Sequence, residues 1–106
     1  MSAPGYVAPV PRYVMLSNLG PDGYATLQEH PERLKGVNAE VEAMGVKVIE
    51  QYGLLGQYDF LNILEAPDEI TMARVATARA ARGTRKSVTL TAIPVDELID
   101  GLRGEA

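Results

Sequence analysis

Apolar and polar positions along the chain follow two periods, and the switches between them mark the elements. Residues 12–18 carry the unbroken apolar run Tyr13-Val14-Met15-Leu16, as in a strand covered on both faces. Gly20-Pro21-Asp22-Gly23 is punctuation, and Asp22 is placed to cap a short helical piece running to about Glu29. Pro31 suits the first turn of a longer helix. On that helix Leu34, Val37, Val41 and Met44 fall on one face, and Gly45 is its stop. Residues 46–52 read as a second strand, with Val46 and Val48 on one face. Gly53-Leu54-Leu55-Gly56 reads as a tight connection whose glycines supply positive φ. Residues 57–65 read as a third strand, apolar on both sides through Phe60, Leu61, Ile63 and Leu64.

Pro67-Asp68-Glu69 opens a second long helix with acids in its first turn. Met72, Ala73, Ala76 and Ala80 give it a small-residue face, and Gly83 ends it. In residues 85–93 Val88, Leu90 and Ala92 alternate with Ser87, Thr89 and Thr91, as in a fourth strand. Pro94 breaks it, and residues 95–102 form a short terminal helix.

The order is β-α-β-β-α-β plus a helical tail, the split-βαβ pattern. It predicts an α+β, ferredoxin-like βαββαβ sandwich with an antiparallel four-stranded sheet. Right-handed crossovers place both long helices on one sheet face. The other face has no cover within the chain, yet the first and third strands, central in this topology, are apolar on both sides. Burying a bare face of several hundred Å2, at roughly 25 cal/mol per Å2, offsets a large association cost. A second copy packed sheet to sheet is therefore expected, making the protein a homo-oligomer, a dimer or higher.

With 106 residues, one domain is expected at 12–106. Three prolines within residues 1–11 prevent regular pairing there and predict a flexible arm. The chain has no cysteine, which removes disulfides, iron–sulfur clusters and thiol nucleophiles. No membrane span and no secretory leader are read, so the cytoplasm is the expected compartment. The net charge of −4 hides an asymmetry. Arg74, Arg79, Arg82, Arg85 and Lys86 fall in a stretch without acids, a candidate interface or anion patch. Without interleaved aromatics, in an acidic chain, the cluster argues against nucleic acid.

Leu55-Gly56-Gln57-Tyr58-Asp59-Phe60 resembles the signature of the GYD-domain family. The likeness extends over residues 12–98, through Arg12-Tyr13-Val14, Pro31-Glu32-Arg33-Leu34 and Glu65-Ala66-Pro67-Asp68. It implies the layout of the dimeric α/β barrel superfamily, which includes heme-degrading enzymes, cofactor-free monooxygenases and stress-induced dimers. The arm at 1–11 departs from the family's usual start.

Adjacent in a strand, Tyr58 and Asp59 point to opposite faces. The structural reading has Asp59 accepting backbone N–H bonds and Tyr58 packing as a wall residue. The catalytic reading makes Tyr58, Asp59 and Asn62 a polar group at a pocket mouth. Asn62 interrupts an apolar run and needs a partner: either a group of the first strand or of a partner chain, or, by its even position beside Tyr58, a cavity between sheets. Tyr13, Ser17, Thr89 and Thr91 join Tyr58 and Asn62 as the candidate lining of a small-molecule site. His30, the single histidine, sits in a connecting segment and is no candidate metal ligand. Neither metal nor cofactor is expected. Two functions remain open: a self-assembling, non-enzymatic domain that binds a small molecule between sheets, or a cofactor-free isomerase or monooxygenase acting on a hydrophobic cyclic substrate.

Overall fold

The apolar run near the start of the chain becomes an inner strand of a sheet. In the computed structural model, which describes residues 10–81 and 84–104, the elements are β1 (Arg12–Leu19), α1 (Pro21–Glu29), α2 (Arg33–Ala43), β2 (Lys47–Gly53), β3 (Phe60–Glu65), α3 (Glu69–Ala81), β4 (Thr84–Ala92) and α4 (Val95–Leu102). The sheet order is β2-β3-β1-β4, every neighbouring pair antiparallel. This is the ferredoxin-like α+β arrangement that the element order predicts. Residues 1–9, Arg82 and Gly83 lie outside the described residues, so the expectations for most of the arm and for a helix stop at Gly83 go with them. Pro11 is tied to the domain, since Ala66 N–H donates to its carbonyl at 3.2 Å.

The register assigns side chains to faces. Tyr13, Met15 and Ser17 of β1 are buried. They stand opposite Leu64, Asn62 and Phe60 of β3 and Thr91, Thr89 and Ser87 of β4. Paired residues share a face, so these positions form the helix side. There Tyr13, Met15 and Leu64 join Val41 of α2, Val46, Ala66, and Met72 and Val75 of α3 in one core cluster. The opposite side carries Val14, Leu16, Leu61, Ile63, Val88 and Leu90. A register shift between Val48 and Glu50 turns Glu50 and Tyr52 of β2 to that second side while Val48 and Gln51 stay beneath the helices.

Several local expectations are corrected. Asp22 does not cap α1: Gly20, in extended conformation, is its N-cap and makes no side-chain cap bond. Pro21 holds the first helical position, which its missing N–H permits. Asp22 is thereby carried into the first turn. Pro31 lies before α2; it and His30 accept bonds from Leu34 and Arg33 in a turn that leads into the helix. Leu34 is 41% exposed, because the start of α2 overhangs a cleft, and the side chain of Val37 lies outside the described set. On α3 the inward face is Met72, Val75 and Ala76, while Ala73 and Ala80 point to solvent. The β2–β3 connection is no tight turn. Gly53 ends β2, residues 54–59 form the loop, and of Gly53 and Gly56 only Gly56, within the loop, takes positive φ, at 140°. Gly45 stops α2 with φ 92°, a conformation that costs an L-residue roughly 1–2 kcal/mol.

Asp68 caps α3, its Oδ1 accepting from Thr71 N–H at 2.7 Å. That bond holds the carboxyl below its ordinary value of 3.8, with Arg74 adding a smaller effect. A depressed folded pKa contributes stability that is complete above the unfolded value and lost as pH falls through the folded one. Asp68→Ala is therefore expected to lower the urea midpoint at pH 7, with the gap from wild type narrowing as the solution is acidified past the carboxylate range. Met72 is 2% exposed. Met72→Ala is expected to cost about 2–5 kcal/mol in the same unfolding measurement.

Candidate functional site

The motif at residues 56–59 closes a corner of the fold. Gly56 supplies the turn, and Asn18 Nδ2 donates to Gln57 O at 3.0 Å. Asp59 N–H donates to Ser17 O at 3.0 Å, and Asp59 O accepts from Leu54 N–H at 2.8 Å. Its carboxylate faces the β1–α1 junction, where Oδ2 accepts from Leu19 N–H at 3.0 Å and from the Tyr24 hydroxyl. The side chain thus joins the β2–β3 loop to the end of β1 and the first turn of α1, 40 and 35 residues away in sequence. A carboxylate held by two donors on one oxygen is suited to holding backbone in place. Sequence reasoning does not single out Tyr24 as its donor; no spacing rule links positions 35 residues apart.

Tyr58 lies in the loop, because β3 begins only at Phe60. The parity that put it beside Asn62 therefore does not apply. Lys86 Nζ stands 5.5 Å from the centroid of the Tyr58 ring, within cation–π range. Lys86 pairs with Asn18 and shares a face with Leu16 and Val88, away from the helices.

Asn62 turns the other way. It stands opposite buried Met15, so it lies on the helix side and not between sheets. There it forms a ladder of amides: Asn38 Nδ2 donates to Gln51 Oε1 at 2.8 Å, and Gln51 Nε2 donates to Asn62 Oδ1 at 3.0 Å. The ladder ties α2 to the two strands beneath it. Asn38 and Gln51 were missed by sequence reasoning. The signal was the need of an amide in an apolar strand for amide partners, but only the register of β2 against β3 says which residues supply them.

The ladder crosses the wall of a cleft of about 1280 Å3 between the sheet and α1–α2, which also takes in Ser17, Arg33 and Arg79. The Asn38 carbonyl oxygen is buried without a hydrogen-bond partner. Of the proposed ligand-lining residues, Ser17 and Asn62 meet in this cleft. Tyr13 lies in the core, where burial pushes its hydroxyl above the ordinary tyrosine value and Glu69 and Asp68 add to the effect. Thr89 and Thr91 are on the helix side of edge strand β4, outside the cleft lining. Tyr58, Asp59 and Asn62 thus do not converge on one catalytic centre: one faces the open side, one closes the corner and one faces the helices.

The described basic residues do not form one patch either. Arg74 is exposed on the outside of α3, Arg79 turns into the cleft, and Lys86 is on the opposite face. A helix and a strand distribute neighbouring cations in different directions. Arg82 and the side chain of Arg85 lie outside the described residues. His30 is exposed and lies 3.4 Å from Glu32. Among the described residues no group of three His, Asp or Glu is placed to hold a metal, and no helix is long and apolar enough to cross a membrane.

The GYD domain model matches residues 13–102, most of the chain. The protein belongs to the GYD-domain family. A relative of this GYD protein, the "Glutamine synthetase and cystathionine beta-lyase binding protein" of Thermus thermophilus, is 48% identical over 95 residues, which cover 89% of this chain and 100% of the relative. The GYD chain also resembles the "Crystal Structure of MtbAldR (Rv2779c)", with TM-score 0.62, 17% identity, 84% of this chain covered and 58% of that one. That likeness is one of fold, and this chain spans a little over half of the MtbAldR chain.

Asp59→Ala leaves the part-buried Leu19 N–H without its acceptor. It is expected to cost about 1–3 kcal/mol of stability by urea unfolding. Asp59→Asn, which keeps an acceptor oxygen, is expected to cost less.

Proposed function

We propose that this GYD domain is a self-assembling, non-catalytic binding protein that docks on enzymes of amino-acid metabolism. One observation carries the assembly: edge strand β4 turns its apolar residues Val88, Leu90 and Ala92 away from its own core and offers the helices Ser87, Thr89 and Thr91. An edge strand that served only this protomer would have the reverse polarity. With Val14, Leu16, Leu61 and Ile63 alongside, it makes an apolar face on which none of the described helices packs. A second copy, presenting the same face by two-fold symmetry, is the economical cover.

The partner class follows from the relative, which is named for binding glutamine synthetase and cystathionine beta-lyase and is matched over its whole length. The engagement of the Asp59 carboxylate by Leu19 and Tyr24 supports a non-catalytic role, because the acid of the family motif is occupied in holding backbone. A second reading has its own observation. The cleft with its amide ladder and unpartnered Asn38 oxygen is suited to a small polar ligand bearing an N–H donor, in place of the hydrophobic substrate of a cofactor-free enzyme. The cytoplasm, where such enzymes work, is the compartment this function requires.

Light scattering is expected to return at least twice the mass of one chain, and a folded monomer at micromolar concentration contradicts the assembly. Immobilised protein is expected to capture the same organism's purified glutamine synthetase or cystathionine beta-lyase. Failure to bind either enzyme removes the docking role and leaves the assembly standing.

A further inference from the structure

Among the described residues, no side chain of the C-terminal helix α4 is buried, and its apolar residues stay exposed. In α4, Val95, Leu98, Ile99 and Leu102 fall at i, i+3, i+4 and i+7, one continuous stripe. They are 68, 44, 38 and 80% exposed, and no residue of the helix is buried. Asp96, Glu97 and Asp100 occupy the rest of its surface. The ends are nonetheless well formed. Leu98 N–H donates to Pro94 O, Arg103 N–H to Ile99 O, and Gly104, with φ 77°, closes the last turn on Gly101 O. Isolated helices shorter than about 12–15 residues are marginal in water, and Gly101 within this one costs roughly a further 1 kcal/mol. An eight-residue helix with this stripe requires a surface to lie on.

What that surface is can be argued from where the apolar area lies. Of the twelve large apolar side chains exposed among the described residues, six fall within residues 90–102: Leu90, Ile93, Val95, Leu98, Ile99 and Leu102. The inner positions of the open sheet face, Val14, Leu16, Leu61 and Ile63, are already half-shielded by their neighbours in the sheet. The α4 stripe follows that face directly in the chain, because β4 puts Leu90 on the open face and exposed Ile93 leads into α4.

We propose that α4 is an exchanged arm: in the homo-oligomer its Val95-Leu98-Ile99-Leu102 stripe lies on a second copy of this chain and extends the sheet-to-sheet interface, each protomer giving one helix and receiving one. The inference rests on the assembly proposed above and adds the element that completes it. The occupant is a second copy because the stripe continues the face that the second copy covers. Asp96 and Asp100, on the other side of α4, then stay in water.

The test uses the full chain. Leu98→Asp with Leu102→Asp changes two exposed positions, so the protomer's circular dichroism is expected to stay that of wild type. The dissociation constant of the oligomer, by light scattering over a dilution series, is expected to rise about a hundredfold or more. Amide hydrogen exchange on wild type is the second measurement: protection at residues 98–104 is expected in the assembled protein and should vanish on dilution to protomers. A double variant that assembles as tightly as wild type, or α4 amides that exchange as fast when assembled as in protomers, overturns the arm while leaving the sheet interface in place. A double variant that assembles normally but loses capture of glutamine synthetase also overturns it, and makes α4 a helix for the enzyme partner. A wild-type chain that is monomeric throughout overturns both this inference and the assembly beneath it.

Discussion

A four-stranded sheet has two sides, and this chain supplies packing helices for one of them. The core organises around that asymmetry. Tyr13, Met15 and Leu64 gather Val41, Met72 and Val75 on one side, and α2 and α3 are held there by their apolar residues. The far side keeps Val14, Leu16, Leu61, Ile63, Val88 and Leu90. Strand β4 makes the asymmetry plain, since its period-two pattern is polar toward the protomer's own helices. Such a strand finds no hydrophobic complement among the described helices, and the proposed assembly rests on that polarity.

Much of this was legible in the residues. The apolar run in β1, the alternation in β4 and the breaks at Gly45 and Pro94 place most element ends within a residue or two, because each reflects a local backbone preference or a one-strand period. Three kinds of feature were not legible. The start of β3 slips to Phe60 because Asp59 is held in a loop by Ser17 and Leu54, partners distant or unpatterned in sequence. The side to which Asn62 points depends on strand register, and Tyr58 counts as its neighbour only while both are placed in one strand. The basic cluster 74–86 looks contiguous along the chain, but its described members Arg74, Arg79 and Lys86 are dispersed by a helix and a strand with different periodicities.

The candidate site was legible in its parts more than in its arrangement. Asp59 stands out from its motif, and its use is architectural: an acceptor for Leu19 and Tyr24. The cleft beneath α2 takes in Ser17 and Asn62 from the expected ligand set and adds Asn38 and Gln51, which carry no motif. A chain of amides spanning two strands and a helix is cooperative, so the position of α2 over the sheet and the shape of the cleft change together.

The corner closed by Asp59 also has a bearing on motion. One side chain fastens the turn into α1 and the β2–β3 loop to the same strand end, so neither segment can open without releasing the other. Residues 19–24 and 54–59 then behave as a single local unfolding unit, although they are far apart along the chain. Whatever steadies the loop around exposed Leu55 would thereby steady the turn into α1, which borders the α1–α2 cleft.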